Sequence, residues 1–263
     1  QSAVIAGYVP GSDVTQHNRI DLDQKEIEAA LKASPVDFTL AKTRYTVGGN
    51  SKTAAPYRTL QDFSTSAQAK MYDGCPGCPY KTYAAFYEYY GSHTYADDWV
   101  SAALDANDHT FPTGKHGPNT FSTLGDAARI EAVKKGTAYL NVWMYTVREF
   151  EDAIDDCITC VRTATENNCN EHSTSTVSVH AWDEGVAFYT GSLEGTVTGG
   201  SSSGKLLYRL AEKRCANFGT CLASGTGATG TSQVNAALFE LFDHGRDWLQ
   251  QGRCSSVRPL VDQ

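Results

Sequence analysis

The sequence predicts an all-α protein, a helical bundle of four or more packed helices with long disulfide-tied loops. Three observations carry this expectation. Apolar residues recur three and four apart over long stretches, the spacing that lines one face of a helix. The period-two alternation of half-buried strands is scarce. The eight cysteines are even in number, and several lie in loop-like Gly, Asn and Pro contexts, as in a disulfide-stabilised extracytoplasmic protein. Residues 1–263 read as a single helical domain.

Residues 1–20 are broken by Gly and Pro and read as an extended N-terminal segment. Asp21 to Ser34 follows as a short helix: Ile27, Ala30 and Leu31 share a face, Asp21 or Asp23 is placed to cap it, and Pro35 lies past its end. Residues 45–58 read as loop, and Thr59 to Met71 as a further short helix. Asp73-Gly-Cys-Pro-Gly-Cys-Pro79 is a tight turn before an aromatic helix, Tyr80 to Tyr90, and another from Tyr95 to Ala106. Pro112, Gly114, Gly117 and Pro118 mark 107–122 as loop. The longest helix is expected from Leu124 to Cys157, with Leu140, Met144, Val147, Ile154 and Ile158 as its buried stripe. A second long helix runs from Thr176 to Glu194. Lys205 to Asn217 and Val234 to Gln251 complete the set, the last with Val234, Leu238, Leu241 and Trp248 inward. Residues 195–204 and 219–232 are connecting loops rich in Gly, Ser and Thr.

The formal charge is −8 and the mean hydropathy −0.38. An acidic surface disfavours nucleic acid and anionic membranes and is compatible with cations. No run approaches the roughly 20 apolar residues of a membrane span, so no membrane insertion is expected. A chain opening on Gln1 reads as a mature secreted protein after removal of a signal segment. The loop cysteines place it in an oxidising, secreted or periplasmic setting.

The most informative stretch is Ser178-Val-His-Ala-Trp-Asp-Glu-Gly-Val-Ala-Phe-Tyr-Thr-Gly-Ser192. Helical spacing puts His180, Asp183 and Glu184 side by side, with Glu194 further along the stripe. Val179, Trp182, Val186, Tyr189 and Leu193 take the other face. Imidazole and carboxylates are ligands of iron, zinc and manganese. The plain alternative is a solvated acidic face with an incidental histidine. A second candidate is Arg148-Glu-Phe-Glu-Asp-Ala-Ile-Asp-Asp156. Glu151 falls about 40° from Val147, on the apolar stripe, where a carboxylate needs a cation beside it. That partner is a metal or an arginine, with Arg148 at hand, and Asp155 lies at the edge of the same face. Glu149, Asp152 and Asp156 read as solvated. The third is Glu240-Leu-Phe-Asp-His244, whose ends are four apart, as in a two-ligand metal pair or in an ordinary helix-stabilising pair.

Other clusters have structural readings. Tyr80, Tyr83, Phe86, Tyr87, Tyr89 and Tyr90 have helix-packing spacing, the alternative being phenolate ligation of ferric iron. Cys75-Pro-Gly-Cys78 and Cys157-Ile-Thr-Cys160 are too far apart for a zinc finger and lack a thioredoxin-like context, so disulfides are favoured. Cys215 and Cys221 bracket a short turn. Eight cysteines allow 105 pairings, which the sequence does not resolve. Nucleophile elbow, P-loop, dinucleotide fingerprint and His-Glu-x-x-His are all missing, and no second Glu-x-x-His completes a ferroxidase cluster, so an enzyme is not expected.

Two segments, Tyr89-Tyr-Gly-Ser-His-Thr-Tyr-Ala-Asp-Asp-Trp-Val-Ser-Ala-Ala-Leu-Asp105 and His180-Ala-Trp-Asp-Glu-Gly-Val-Ala-Phe-Tyr-Thr-Gly-Ser-Leu-Glu-Gly195, resemble the iron-assimilation proteins of green algae, periplasmic proteins induced by low iron or high CO2. The resemblance extends through Arg148-Glu-Phe-Glu-Asp152 and the final helix. It implies a non-enzymatic protein that binds iron, Fe3+ or Fe2+, outside the plasma membrane and serves a membrane iron transporter. The matching segments hold His180, Asp183, Glu184 and Glu194, with Glu151 beside them. His93, Asp97 and Asp98 fall in the first segment, where a structural role is equally open. The rival reading, from a different class, is a disulfide-stabilised structural or small-ligand-binding module without metal, in which the acids are solvated or paired with Arg148, Arg209, Arg214 or Arg246. Induction by CO2 also admits a role with inorganic carbon.

Overall fold

The computed structural model describes residues 3–53, 56–163, 178–222 and 232–263. In chain order the helices are α1 (Thr15–Asn18), α2 (Ile20–Leu31), α3 (Phe38–Val47), α4 (Asp62–Thr65), α5 (Lys81–Tyr90), α6 (Tyr95–Asp105), α7 (Asp126–Gly136), α8 (Trp143–Thr163), α9 (Ser178–Thr190), α10 (Leu207–Phe218), α11 (Gln233–Gln250) and α12 (Cys254–Val261). A single antiparallel hairpin, β1 (Asp108–Thr110) and β2 (Pro118–Thr120), is the one sheet among the described residues. The all-α expectation therefore holds. Among the described residues no helix is long and apolar enough to cross a membrane.

The strongly periodic segments fall where their spacing put them, and the differences have local causes. The Leu124–Cys157 expectation is met by α7 and α8, joined through a π-helical turn at Thr137–Val142. Gly136 precedes this turn because α6 passes close: a Cβ there would come within 2.7 Å of Val100 and 2.8 Å of Trp99. The hairpin lies inside the expected 107–122 loop, and three-residue strands are too short to show alternation. α3 overlaps the expected 45–58 loop. Its apolar residues do not form a stripe, and only Ala41 and Tyr45 of it are buried, yet its ends are conventional. Asp37 caps the N-terminus by accepting from the Leu40 amide at 2.8 Å, and Gly48, at φ 68°, ends it. In α11 the buried face runs through Asn235, Phe242, Gly245 and Leu249, whereas Val234 is 47 % exposed. The stripe expected through Val234 is thus rotated. Gly245 turns inward because the Trp182 indole lies where its side chain would be. The start of α9 expected at Thr176, and positions 223–231 of the loop expected at 219–232, lie outside the described residues.

The chain groups into two compact units, residues 22–145 and residues 1–21 with 146–263. In the first, α6 is central, packed by α3, α4, α7 and the π-helical turn. Tyr45, Tyr83 and Tyr95 are buried there. The Tyr45 hydroxyl donates to Asp97 Oδ1 at 2.9 Å and accepts from Asn141 at 3.0 Å. The aromatic helix α5 thus contributes core at Tyr83, with Tyr83 Oη 3.1 Å from His93 Nδ1.

In the second unit α9 is central, packed by α1, α10 and α11, with α12 against α11. From Ser178 to Thr190 every residue but His180 is buried. A helix covered on all sides cannot leave polar groups to water, so Asp183 and Glu184 must find partners within the protein. Two glycines permit the packing. Gly185 accepts the Phe150 ring, 2.6 Å from where a Cβ would sit, and Gly245 accepts Trp182, whose indole donates to Phe242 O at 2.9 Å. Disulfides join Cys75 to Cys78, Cys157 to Cys254 and Cys215 to Cys221, and Cys160 is disulfide-bonded as well. The Cys-x-x-Cys pair at 75–78 is therefore a local staple and not half of a zinc site.

Two stability outcomes follow. Gly245→Ala drives a methyl into Trp182 and should destabilise the protein by about 1–3 kcal/mol, read by urea denaturation. Cys157→Ser with Cys254→Ser removes a cross-link spanning 97 residues and should lower unfolding free energy by about 2–5 kcal/mol, more than loss of the six-residue Cys215–Cys221 link.

Candidate metal centre

The centre forms where the N-terminal segment crosses α9. Gly11 lets the crossing come close: a Cβ there would meet Val179 at 2.8 Å and the Gln250 amide at 3.0 Å. Ile5, Val14 and Ala187 pack beneath it. Arg246 of α11 holds the segment from outside, donating to Val9 O at 2.6 Å. Asp13 Oδ1 then accepts from the Thr15 amide at 3.0 Å and starts the single turn α1, which presents His17 to α9.

His17, His180 and Glu184 are the one group of three potential ligands among the His, Cys, Asp and Glu side chains described, with ligand atoms all within 4.8 Å of one another. Glu184 Oε1 lies 3.0 Å from His17 Nε2 and 3.0 Å from His180 Nε2. The imidazoles meet edge to face at 5.3 Å, and Phe188 walls His17 at 5.9 Å. The three side chains are 11–14 % exposed, so the group is sheltered but reachable.

A second layer orients it. Asp183 accepts from the Tyr8 hydroxyl at 2.5 Å through Oδ1, and from the Ser12 amide and hydroxyl at 2.8 Å each through Oδ2. The Ser12 proton is thereby committed to Asp183. Its oxygen, 3.0 Å from His180 Nδ1, must accept from that nitrogen. With Nδ1 protonated, the lone pair of a neutral His180 is on Nε2, facing His17 and Glu184. This is the carboxylate-backed arrangement that fixes ligating histidines, here relayed through a serine.

The electrostatics follow from burial and these contacts. Burial opposes the charge on Glu184, but hydrogen bonds from His17 and His180 and the charge of both imidazoles hold its carboxyl well below the usual range. Burial likewise pulls His180 down, and the bond to Glu184 outweighs it, so His180 holds its proton more tightly than a free imidazole. Asp183 moves the other way: burial raises it despite its bonds from Tyr8 and Ser12.

The sequence-derived candidates separate. His180 and Glu184 stand together. Asp183 stands outside the group of three and serves as the anchor for Tyr8 and Ser12. Glu151 is buried and bound by Arg258 of α12 at 2.5 Å, so its partner is an arginine, although not Arg148. Glu194 is buried in a 3-10 turn beyond α9, accepts from the Ser201 amide at 2.7 Å, and is pushed by burial up to about 7. Glu240 and His244 lie on the exposed side of α11, a consequence of the rotated stripe, with His244 stacked on Trp248 at 5.9 Å. None of these four joins the group of three.

Two residues at the centre were not legible as such. His17 lies in a segment that reads as extended, with no helical period to mark it. Glu149 was expected to be solvated, yet it is 1 % exposed. Arg148 donates to its Oε2 at 2.6 Å and to Asp152 at 2.8 Å. Glu149 feels the charge of Glu184, and His180 feels that of Glu149.

Comparison of the chain with curated proteins and with solved structures finds no match. A family model described as Low iron-inducible periplasmic protein, Fea1, matches residues 1–257 and so takes in every residue of the centre. The disulfides accord with an oxidising, extracytoplasmic compartment. The chain belongs to the Fea1 family of low iron-inducible periplasmic proteins.

Proposed function

We propose that this protein is a non-enzymatic iron binder of the periplasm that holds one iron ion as cargo on His17, His180 and Glu184 and passes it toward a membrane iron transporter. The observation that carries the reading is the meeting of three ligand atoms from distant parts of the chain around one sheltered point. Two histidines and one carboxylate with further positions open is the donor set of non-haem ferrous sites. The spacing suits it, since neighbouring ligands at about 2.1 Å from a six-coordinate ion lie about 3 Å apart. Glu184 Oε1 is 3.0 Å from each Nε2.

The identity of the partners favours this over a metal-free module. Such a module would pair its buried acids with arginine, as Glu151 does with Arg258. A guanidinium keeps its proton and cannot give way. Glu184 is held by two imidazoles, which can. A cation arriving at the centre takes the place of the protons between Glu184 and the two Nε2 atoms, and Ser12 and Asp183 keep His180 pointed at it.

Titration of the full-length protein with Fe2+ against a competing chelator tests this. One ion per chain is expected. His17→Ala alone, and His180→Ala with Glu184→Ala, should each weaken it by at least about 10–100-fold. Wild-type affinity in the double variant would sink the assignment, and preferential uptake of zinc from a mixture would keep the site but remove iron as its cargo. The pH dependence has a definite sign. Only neutral imidazole ligates, and His180 holds its proton more tightly than usual, so affinity should fall as the pH drops through the histidine range and recover above it. A flat profile would contradict displacement of protons from these imidazoles.

A further inference from the structure

We infer that Glu149 is a fourth ligand of this site, so that the cation is held by two histidines and two carboxylates. The inference rests on the iron-binding reading above and extends it to a residue on a third element. Glu149 is 1 % exposed, and its Oε1 is without a hydrogen-bond partner while Oε2 takes the bond from Arg148. A carboxylate oxygen removed from water and left without a donor is costly, and a position that keeps one is waiting for a cation or a proton.

Packing brings Glu149 toward the centre, although its oxygens stand outside the 4.8 Å group of three and must turn inward to join it. The Phe150 ring fills the space that Gly185 leaves open, which draws α8 against α9. Glu149 and Glu184, the residues preceding that contact on each helix, repel one another, and Glu149 attracts the His180 charge.

Charge balance gives an independent reason. With Glu184 alone a divalent ion would remain with an uncompensated positive charge in a sheltered pocket, where such a charge is expensive. Glu184 and Glu149 together cancel it. Arg148 then keeps a carboxylate of its own, since its Nη2 already donates to Asp152 at 2.8 Å. Glu149 can therefore turn from Arg148 to the ion without leaving the guanidinium unpaired.

The test compares the full disulfide-bonded protein with Glu149→Gln, which keeps the shape and removes the charge. Fe2+ affinity is measured by chelator competition, the visible spectrum is recorded with Co2+ as probe, and the melting temperature is taken without metal. The expected result is iron binding weakened by at least about tenfold, an altered Co2+ spectrum and a metal-free melting temperature that does not fall. Glu149→Asp, which retains the charge but withdraws it by one methylene, should weaken binding in the same direction and covers the case in which Glu149→Gln does not fold. Wild-type affinity and an unchanged Co2+ spectrum in these variants, with binding still lost in His180→Ala, would overturn the role of Glu149 and leave the three-residue site standing. A lower melting temperature with unchanged affinity would likewise overturn it, by making Glu149 a structural partner of Arg148. Binding retained in the His180→Ala protein as well would remove the iron site itself.

Discussion

Asp183 and Glu184 are consecutive carboxylates on a helix buried on nearly every side, and the organisation of residues 1–21 and 146–263 follows from that. Neither acid reaches water freely, and each has drawn the chain's N-terminal segment onto α9 to supply donors. Tyr8 and Ser12 satisfy Asp183, and His17, with His180 from α9 itself, satisfies Glu184. The two sets of partners differ in kind. Hydroxyl and amide donors are permanent at any ordinary pH, whereas His180, with its Nδ1 proton committed to Ser12, has an Nε2–H to give Glu184 only while the ring is protonated. One carboxylate is therefore a fixed anchor, and its neighbour is held by partners that titrate.

The anchoring would fail without close approach of backbones. Gly11 allows the N-terminal segment over Val179, Gly185 admits Phe150, and Gly245 admits Trp182. Each places a large ring or a crossing strand of chain where any side chain would obstruct it. The aromatic packing of Phe150, Trp182 and Phe242 then fixes α8, α9 and α11 as a rigid frame. A site whose ligands come from different elements needs such a frame, because an error of an ångström in one element misplaces a ligand.

What the sequence revealed follows the range over which its signals act. Helices with a clear 3.6 period, such as α6 and α8, are legible because periodicity is local. α3 is not legible because its apolar residues form no stripe. The inward face of α11 is not legible from hydropathy because Gly245 carries no such signal, although it marks the packed side. At the centre, His180 and Glu184 were legible from their separation of four on one helix. His17 was not, because nothing near it in sequence announces a turn that depends on Asp13 and on the surface of α9. Glu149 reads as solvated from the sequence. Its burial comes from α9 packing against α8, which no local pattern contains. Glu151 shows the opposite case: its position on the apolar stripe correctly demanded a cationic partner, but the choice of Arg258 depended on where α12 docks, and Cys157–Cys254 ties α12 to α8.

The same interactions set the character of binding at the centre. Glu184 lies 3.0 Å from both Nε2 atoms, and His180 is held from behind by Ser12, so on the proposed reading these ligands need little rearrangement to receive an ion. Preorganisation of this sort favours affinity. Opposing it are the protons that the cation must displace, held more tightly at His180 than in a free imidazole, and the Arg148 contact that Glu149 must relinquish. Binding of an ion here, as proposed, would go by exchange rather than by folding, with an affinity set by the competition between proton and metal. His180 and Glu184 share α9 with the anchor at Asp183, whereas His17 reaches them from the N-terminal segment, so the three stand together only while that segment lies on α9, where Tyr8 and Ser12 tie it to Asp183.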